Sequence, residues 1–181
     1  GLLADRNHFP GIDMVKFGES ISIIQKRVTF ENISILDVYE KAIAVFRDYY
    51  EYEVIQEADR KKVEKIPEAA FREAIANSLI YRVWDVESQI RVLMFDDRIE
   101  VVSPGGLPSG ITVNEYLAGK LSALRNRNLA NVFYRLGFVE IFGTGIIRIK
   151  QLYEESLAKP EFEVSENAIK VVLPIFENNF N

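Results

Sequence analysis

An acid and an amide stand four residues apart in one predicted helix, as Glu73 and Asn77. Positions i and i+4 of a helix lie on the same side, so both polar groups point in one direction. A carboxylate placed there could hold or deprotonate a water molecule, and an amide oxygen is a ligand that Mg²⁺ accepts. A solvated helix face is the alternative interpretation. The neighbouring side chains are small or apolar, such as Ala76 and Ile80, which favours a helix that lines a cleft.

Two glycine turns follow this pair in the sequence. Ser103–Pro108 reads Ser-Pro-Gly-Gly-Leu-Pro directly after a predicted strand, and Gly143-Thr-Gly145 opens a predicted helix. Glycine permits positive φ and close approach of the backbone to a ligand, and the free N–H groups at a helix start suit a phosphate. An ordinary turn is the favoured interpretation of Ser103–Pro108, whereas a tight turn and a phosphate site explain Gly143–Gly145 equally well. Arg125 lies before another helix, where it could reach a phosphate or stand beside an Asn cap.

The periodicity of apolar residues predicts the elements that position these groups. Ser34–Tyr50 is an amphipathic helix, and Pro67–Tyr81 is the helix that carries Glu73 and Asn77, with Leu79 directed to the core. The remaining predicted strands are Ile12–Phe17, one or two within Glu51–Lys65, Gln89–Phe95, Arg98–Val102, Phe162–Val164 and Ala168–Pro174, and the remaining helices are Thr112–Leu117, Asn128–Leu136 and Gly143–Glu155.

Composition limits the classes of function. The chain has 181 residues, 48% of them hydrophobic, which is enough for one well-buried domain with an appendage. Its net charge of −5 argues against a purely electrostatic DNA binder, and the lack of cysteine with a single histidine argues against zinc sites. No apolar run approaches the roughly 20 residues that span a bilayer, and no signal peptide opens the chain, so we expect a cytoplasmic protein. Because the sequence begins without Met, we expect a fragment of a longer protein.

Taken in order, these segments resemble the C-terminal domain of the RecG-like transcriptional regulators. That domain is a divergent branch of the GHKL ATPase superfamily, which includes gyrase B, MutL and histidine kinases. The resemblance covers about Ile66–Leu173, and Gly1–Phe17 resembles the tail of the Schlafen/AlbA-like domain that commonly precedes it. The motifs that carry it are Pro67-x-x-Ala70-x-Arg72-Glu73-Ala74-x-x-Asn77, Asp97-Arg98-Ile99-Glu100, Ser103-Pro104-Gly105-Gly106-Leu107-Pro108, Arg125-Asn126, Leu136-Gly137-Phe138-Val139-Glu140 and Gly143-Thr144-Gly145-Ile146.

The resemblance implies an α+β fold, a two-layer α/β sandwich of GHKL (Bergerat) type with a mixed sheet and helices on one face. It also implies two parts: residues 1–50 as the tail of the preceding domain with a connecting helix, and residues 51–181 as a nucleotide-binding domain. By the same resemblance, Glu73 activates water, Asn77 binds Mg²⁺, and ATP is the nucleotide. The residues implied to contact that nucleotide are Ser103, Gly105, Gly106, Arg125, Gly143, Thr144 and Gly145.

The chain departs from the family pattern in the proposed cleft. Ser103 stands where the superfamily has an Asp for the adenine amino group, and Tyr81 and Val83 replace a His and an Asp. The first interpretation is therefore an ATP-binding domain of a regulator with slow hydrolysis, in which DNA is contacted only by a missing N-terminal domain. The second is a non-catalytic scaffold that keeps the fold and self-associates. A winged-helix DNA binder is a third, which the acidic charge disfavours.

The apolar face of the helix Ser34–Tyr50 bears on oligomeric state. Either this face packs back on the sandwich or it meets the same helix of a second molecule, and two-fold pairing is the commonest arrangement in soluble oligomers. We therefore expect a homodimer. The residues expected to make the intramolecular or interface contacts are Ile35, Tyr39, Ala42, Ile43 and Phe46.

Overall fold

A computed structural model describes residues 1–119, 126–139 and 144–178 of the chain. Strands and helices alternate irregularly along these residues. The strands are β1 (Ile12–Phe17), β2 (Ile24–Phe30), β3 (Glu51–Gln56), β4 (Asp59–Glu64), β5 (Ile90–Met94), β6 (Arg98–Pro104), β7 (Glu161–Val164) and β8 (Ala168–Pro174). The helices are α1 (Ile35–Tyr50), α2 (Glu68–Tyr81), α3 (Val113–Leu117), α4 (Arg127–Arg135) and α5 (Gly145–Leu152).

One mixed sheet forms the first layer of the fold. It has six strands in the order β2-β1-β5-β6-β8-β7, while β3 and β4 form a separate hairpin. β1 pairs in parallel with β5, and the other neighbours in the sheet are antiparallel. The helices α1 and α2 pack on one face of this sheet around a shared apolar core. The expected α+β fold, a two-layer sandwich with helices on one face, is confirmed.

The opposite face of the sheet carries ion pairs. Asp13 of β1 accepts hydrogen bonds from Arg27 and Thr29 of β2. Glu100 of β6 lies 2.9 Å from the Lys170 ammonium of β8. Charged pairs of this kind hold neighbouring strands together but leave a polar surface, which is consistent with a sandwich of two layers.

The buried face of α1 is covered within the chain. Phe46 stacks on Phe71 of α2 with ring centroids 4.4 Å apart, and Tyr39 stacks on Phe138 at 4.4 Å. Of the two arrangements expected for this helix, the structure shows the intramolecular one. The five residues named for the contact, Ile35, Tyr39, Ala42, Ile43 and Phe46, are all buried.

Residues before position 50 belong to the same sheet and core as those after it. β1 lies between β2 and β5 in the sheet, and α1 shares the apolar core with α2. The division into residues 1–50 and 51–181 stays a prediction. In the structure, the two ranges share one sheet and one apolar core.

The strand β2 was not predicted from the sequence. It reads Ile-Gln-Lys-Arg-Val-Thr-Phe and lies at the edge of the sheet, where most of its residues are exposed. An edge strand exposed on both faces lacks the alternation of buried and exposed residues that marks other strands. The helix predicted at Gly143–Glu155 is also shorter in the structure, because α5 ends at Leu152.

A clamp of charges joins α1 to α2 at the start of α2. Glu68 accepts hydrogen bonds from Arg47 of α1 and from Arg72, one turn along its own helix. Burial raises the pKa of the Glu68 carboxyl, but the bonds from the two guanidinium groups outweigh it and lower that pKa to about 2. The clamp fixes the first turn of α2 and therefore the position of the residues that follow.

Replacing Leu79 by Ala should destabilise the protein by about 2–5 kcal/mol, because a fully buried leucine in a packed core is removed. Urea denaturation followed by circular dichroism measures this change. Ile55→Ala is the control, since Ile55 is 71% exposed on β3. If Leu79→Ala were as stable as the parent protein, Leu79 would not lie in the packed core, and the assignment of this face of α2 to the core would be wrong.

Acid should weaken the clamp at Glu68. The folded carboxyl has a pKa of about 2, against 4.5 for the free group. Its contribution to stability is therefore present above pH 4.5 and is lost as the pH falls from about 4.5 toward 2. The free energy of unfolding of Glu68→Gln, measured between pH 6 and pH 2.5, should fall less steeply with acid than that of the parent protein. Parallel curves for the two proteins would contradict the pKa assigned to Glu68.

Candidate functional site

The helix α2 places Glu73 and Asn77 together, as their spacing predicts. Glu73 is buried, with 4% of its surface exposed, and Asn77 is half-buried. The Asn77 side-chain N–H donates to Glu73 Oε1 across 3.4 Å. The Asn77 carbonyl oxygen has no hydrogen-bond partner among the described residues, so the amide keeps one oxygen for a ligand.

The first turn of α5 lies directly against this pair. A β-carbon on Gly145 would stand 2.1 Å from Asn77 Nδ2 and 2.8 Å from Glu73 Oε1. Only a glycine therefore allows α5 to approach α2 so closely. Thr144 is the residue before the helix, and its side chain makes no capping hydrogen bond. The start of α5, where backbone N–H groups lack partners within the helix and the helix dipole is positive, thus adjoins the acid and the amide predicted from α2.

A pocket opens beside this contact, between α2, α5 and the sheet. Its enclosed space is about 40 Å³, and the whole concavity with its solvent-open mouth measures about 630 Å³. The first figure corresponds to about three waters. The second figure includes open solvent, and the enclosed space lies well below the range of about 300–1,000 Å³ common for small-molecule sites. Within the described part of the chain, every wall residue is uncharged. The walls include Asn77, Ser78 and Tyr81 of α2, Val101 and Ser103 of β6, Tyr116 of α3, Gly145, Ile146 and Ile149 of α5, and Ile169 and Val171 of β8.

Ser103 reaches the pocket from the sheet. It lies at the end of β6 opposite Ile169 of β8 and is 8% exposed. Its hydroxyl donates to the Ile169 carbonyl across 3.4 Å. Because its hydrogen is used in this way, the lone pairs of the Ser103 oxygen remain as acceptors.

The glycines after β6 are packed against protein atoms. Gly105 has φ +90°, and a β-carbon there would lie 2.2 Å from Val83. A β-carbon on Gly106 would lie 2.5 Å from the Glu166 carbonyl oxygen. These contacts account for glycine at both positions without a ligand. An approach of Gly105 and Gly106 to a nucleotide stays a prediction.

Two further predicted site residues, Arg125 and Gly143, lie outside the described residues. Asn126, which follows Arg125 in the sequence, is described, and its side chain donates to the Ile80 carbonyl at 2.6 Å, which caps the end of α2. Tyr81, which replaces a family His in the proposed cleft, lines the pocket. Burial raises the pKa of the Tyr81 phenol to about 12, with an added contribution from the charge of Glu73.

A short segment of chain covers the pocket, and we call residues 107–119 the lid. Tyr116 of the lid belongs to a small apolar cluster with Ile146 and Ile169, distinct from the main core. The Lys150 ammonium donates to the Leu117 carbonyl across 3.1 Å and so joins the lid to α5. The role of Tyr116 in the pocket was not predicted from the sequence, because a single aromatic residue in a short helix has no spacing that marks it.

The end of α2 is held by a buried arginine that sequence reasoning also missed. Arg82 is 1% exposed and lies between the rings of Phe9 and Trp84, 5.3 and 4.9 Å from their centroids. It donates to the Val86 and Ser88 carbonyls. The pKa of its guanidinium is lowered by burial. Arg82 thus fixes the chain that leaves α2 next to the pocket wall.

The described residues contain neither a cluster typical of a metal site nor a helix that could cross a membrane. They contain no cluster of three or more histidine or acidic side chains that could hold a metal ion. No helix in those ranges has the length and apolar character needed to cross a bilayer.

Comparisons with known proteins identify relatives of this fold. Residues 87–173 match the family described as "Putative ATP-dependent DNA helicase recG C-terminal", which supports an ATPase-like domain. The matched range includes Ser103 and Gly145 but begins after Glu73 and Asn77. A comparison with curated proteins finds no match to this chain.

A solved structure covers nearly the whole chain. The crystal structure of the DIP2311 protein from Corynebacterium diphtheriae superposes with a TM-score of 0.80 and 25% sequence identity. The similarity covers 97% of this chain and 36% of that one, so this chain spans little more than a third of that relative's length.

Replacing Gly145 by Ala tests the contact between α5 and α2. The added methyl group would collide with the side-chain ends of Asn77 and Glu73, so these side chains must move away or α5 must shift, and overpacking of this kind typically costs about 1–3 kcal/mol. The free energy of unfolding in urea measures the change. Gln151→Ala, at an exposed position of the same helix, should leave stability nearly unchanged. A Gly145→Ala protein as stable as this control would contradict the close packing.

Proposed function

We propose that this chain is a divergent GHKL-like domain that binds ATP with Mg²⁺ in the pocket between α2, α5 and the sheet. The observation that carries the proposal is the meeting of Asn77, Ser103 and Gly145 at one cavity. These residues are separated in sequence; Asn77 was predicted as the Mg²⁺ ligand, and Ser103 and Gly145 were predicted to contact the nucleotide. The family match to an ATPase-like domain supports the same interpretation.

The proposal places the base of the nucleotide deep in the pocket, whose described walls are uncharged. The phosphates lie toward the start of α5, because the N–H groups of a helix start favour an anion. Thr144 contributes there, and Gly105 and Gly106 border the nucleotide from the turn after β6. Contacts from Arg125 and Gly143 are proposed from the family resemblance alone. A neutral pocket beside a helix start suits a ligand with an aromatic part and an anionic part.

The oxygen atoms around Asn77 fit Mg²⁺ in kind. Mg²⁺ binds through one or two protein oxygens, and keeps waters and substrate phosphates as its other ligands. Asn77 offers its amide oxygen, and Glu73 places a carboxylate next to that amide. When bound, Mg²⁺ supplies positive charge that offsets the charge of the phosphates. Glu73 holds or deprotonates a water in the proposed slow hydrolysis.

The biological setting is part of the proposal and rests on the family resemblance. It is a cytoplasmic transcriptional regulator in which DNA is contacted by a domain that precedes this one. A homodimer remains proposed, but its interface has to lie elsewhere than the apolar face of α1, which is buried within the chain.

The alternative function is a non-catalytic scaffold that keeps the fold and self-associates. Two observations favour it. The first turn of α5 already lies against Asn77 and Glu73, and protein atoms fill the space beside Gly105 and Gly106. Under this interpretation the pocket remains closed and no nucleotide enters it.

Isothermal titration calorimetry with ATP, ADP and GTP, with and without Mg²⁺, tests the choice. We expect weak Mg²⁺-ATP binding, and Asn77→Ala should abolish its metal-dependent part.

Ser103→Asp should tighten ATP binding over GTP, because a charge-assisted hydrogen bond to the adenine amine is roughly twice as strong as a neutral one. Phosphate release from the same samples, compared with Glu73→Gln, tests hydrolysis. No heat and no thermal shift with any nucleotide at millimolar concentration would favour the scaffold.

A further inference from the structure

Tyr116 brings a polar side chain to the wall of the pocket. It lies on α3 in the lid, lines the pocket and is 8% exposed. Its backbone groups bond within the lid. Its hydroxyl has no partner in residues 1–119, 126–139 and 144–178. Because this oxygen is not buried away from solvent, it can bond water or a ligand in the pocket.

The pocket offers different hydrogen-bonding groups on its two sides. On the sheet side, the Ser103 hydroxyl donates to the Ile169 carbonyl, which leaves the Ser103 oxygen as an acceptor. On the lid side, burial raises the pKa of the Tyr116 phenol, with an added contribution from Tyr81, so its O–H hydrogen is kept at neutral pH. An acceptor therefore faces the ligand from the sheet, and a donor is available on the lid.

A planar nitrogen heterocycle matches these two groups. Purine bases carry exocyclic or ring N–H donors and ring-nitrogen acceptors on the same molecule. The apolar side chains between the two groups, among them Val101 and Ile146, suit the faces of such a ring. A simple apolar ligand would displace water from the Tyr116 hydroxyl without replacing its hydrogen bond.

We propose that Tyr116 is a specificity-determining residue, whose hydroxyl donates a hydrogen bond from the lid to a ring nitrogen of the bound purine. This inference rests on the proposed nucleotide binding and names a contact within that site. It also links the ligand to the lid, because Tyr116 is part of α3 and α3 is joined to α5 through Lys150.

Tyr116→Phe removes the hydroxyl and keeps the ring that packs in the lid. We expect Mg²⁺-ATP to bind this variant about three- to tenfold more weakly in calorimetry, as for loss of one neutral hydrogen bond. The melting temperature without ligand should not fall. Tyr153→Phe is the matched control, because the Tyr153 hydroxyl donates to the Pro174 carbonyl at 2.6 Å and lies outside the pocket walls. That variant should melt at a lower temperature and bind ATP as the parent protein does.

Analogues of ATP identify the accepting atom without any change in the protein. The parent protein is titrated with 1-deaza-, 3-deaza- and 7-deaza-ATP, each of which lacks one ring nitrogen. We expect one analogue to bind about three- to tenfold more weakly than ATP, and Tyr116→Phe to bind that analogue as weakly as the parent protein does.

Each outcome is decisive. If the parent protein binds ATP and Tyr116→Phe binds it equally well, the Tyr116 contact is wrong and the proposed function stands. The contact is also wrong if all three analogues bind as tightly as ATP, or if Tyr116→Phe melts at a lower temperature as Tyr153→Phe does. If the parent protein binds neither ATP nor an analogue, the proposed function fails and the contact with it.

Discussion

The approach of α5 to α2 at Gly145 is the constraint on which the site depends. Because a β-carbon at this position would overlap Asn77 and Glu73, the distance between the two helices is set by the absence of a side chain. A larger separation would open the pocket to solvent and move the start of α5 away from the acid and amide. The clamp at Glu68 acts on the same geometry from the other end of α2, since it fixes that helix to α1.

The sandwich divides polar and apolar groups between its surfaces and its cavity. Ion pairs lie on the open face of the sheet, whereas the described walls of the pocket are uncharged. For the proposed nucleotide, the charges that pair with the phosphates would therefore come from the mouth of the pocket and not from its depth. An uncharged interior can select a base through shape and a small number of hydroxyl and amide groups.

Regular periodicity explains which parts of the fold could be predicted from the sequence. α1 and α2 combine long helical spacing with clear starts, and the structure confirms both. β2 could not be predicted because its exposed side chains leave no alternation. In the site, the spacing of Glu73 and Asn77 was sufficient to place them together. The packing of Gly105 on Val83 and the position of Tyr116 in the pocket wall depend on contacts between distant segments. A local sequence pattern does not show such contacts.

The separate apolar cluster of the lid has a consequence for local unfolding. Tyr116, Ile146 and Ile169 form a small group apart from the main core, so the lid can open at a lower free energy than global unfolding requires. Its backbone amides should exchange hydrogen with solvent through such openings while the amides of α1 and α2 remain protected. A ligand held under the lid adds its binding energy first to this local equilibrium. Slower amide exchange in residues 107–119 would therefore report occupancy more sensitively than the melting of the whole molecule.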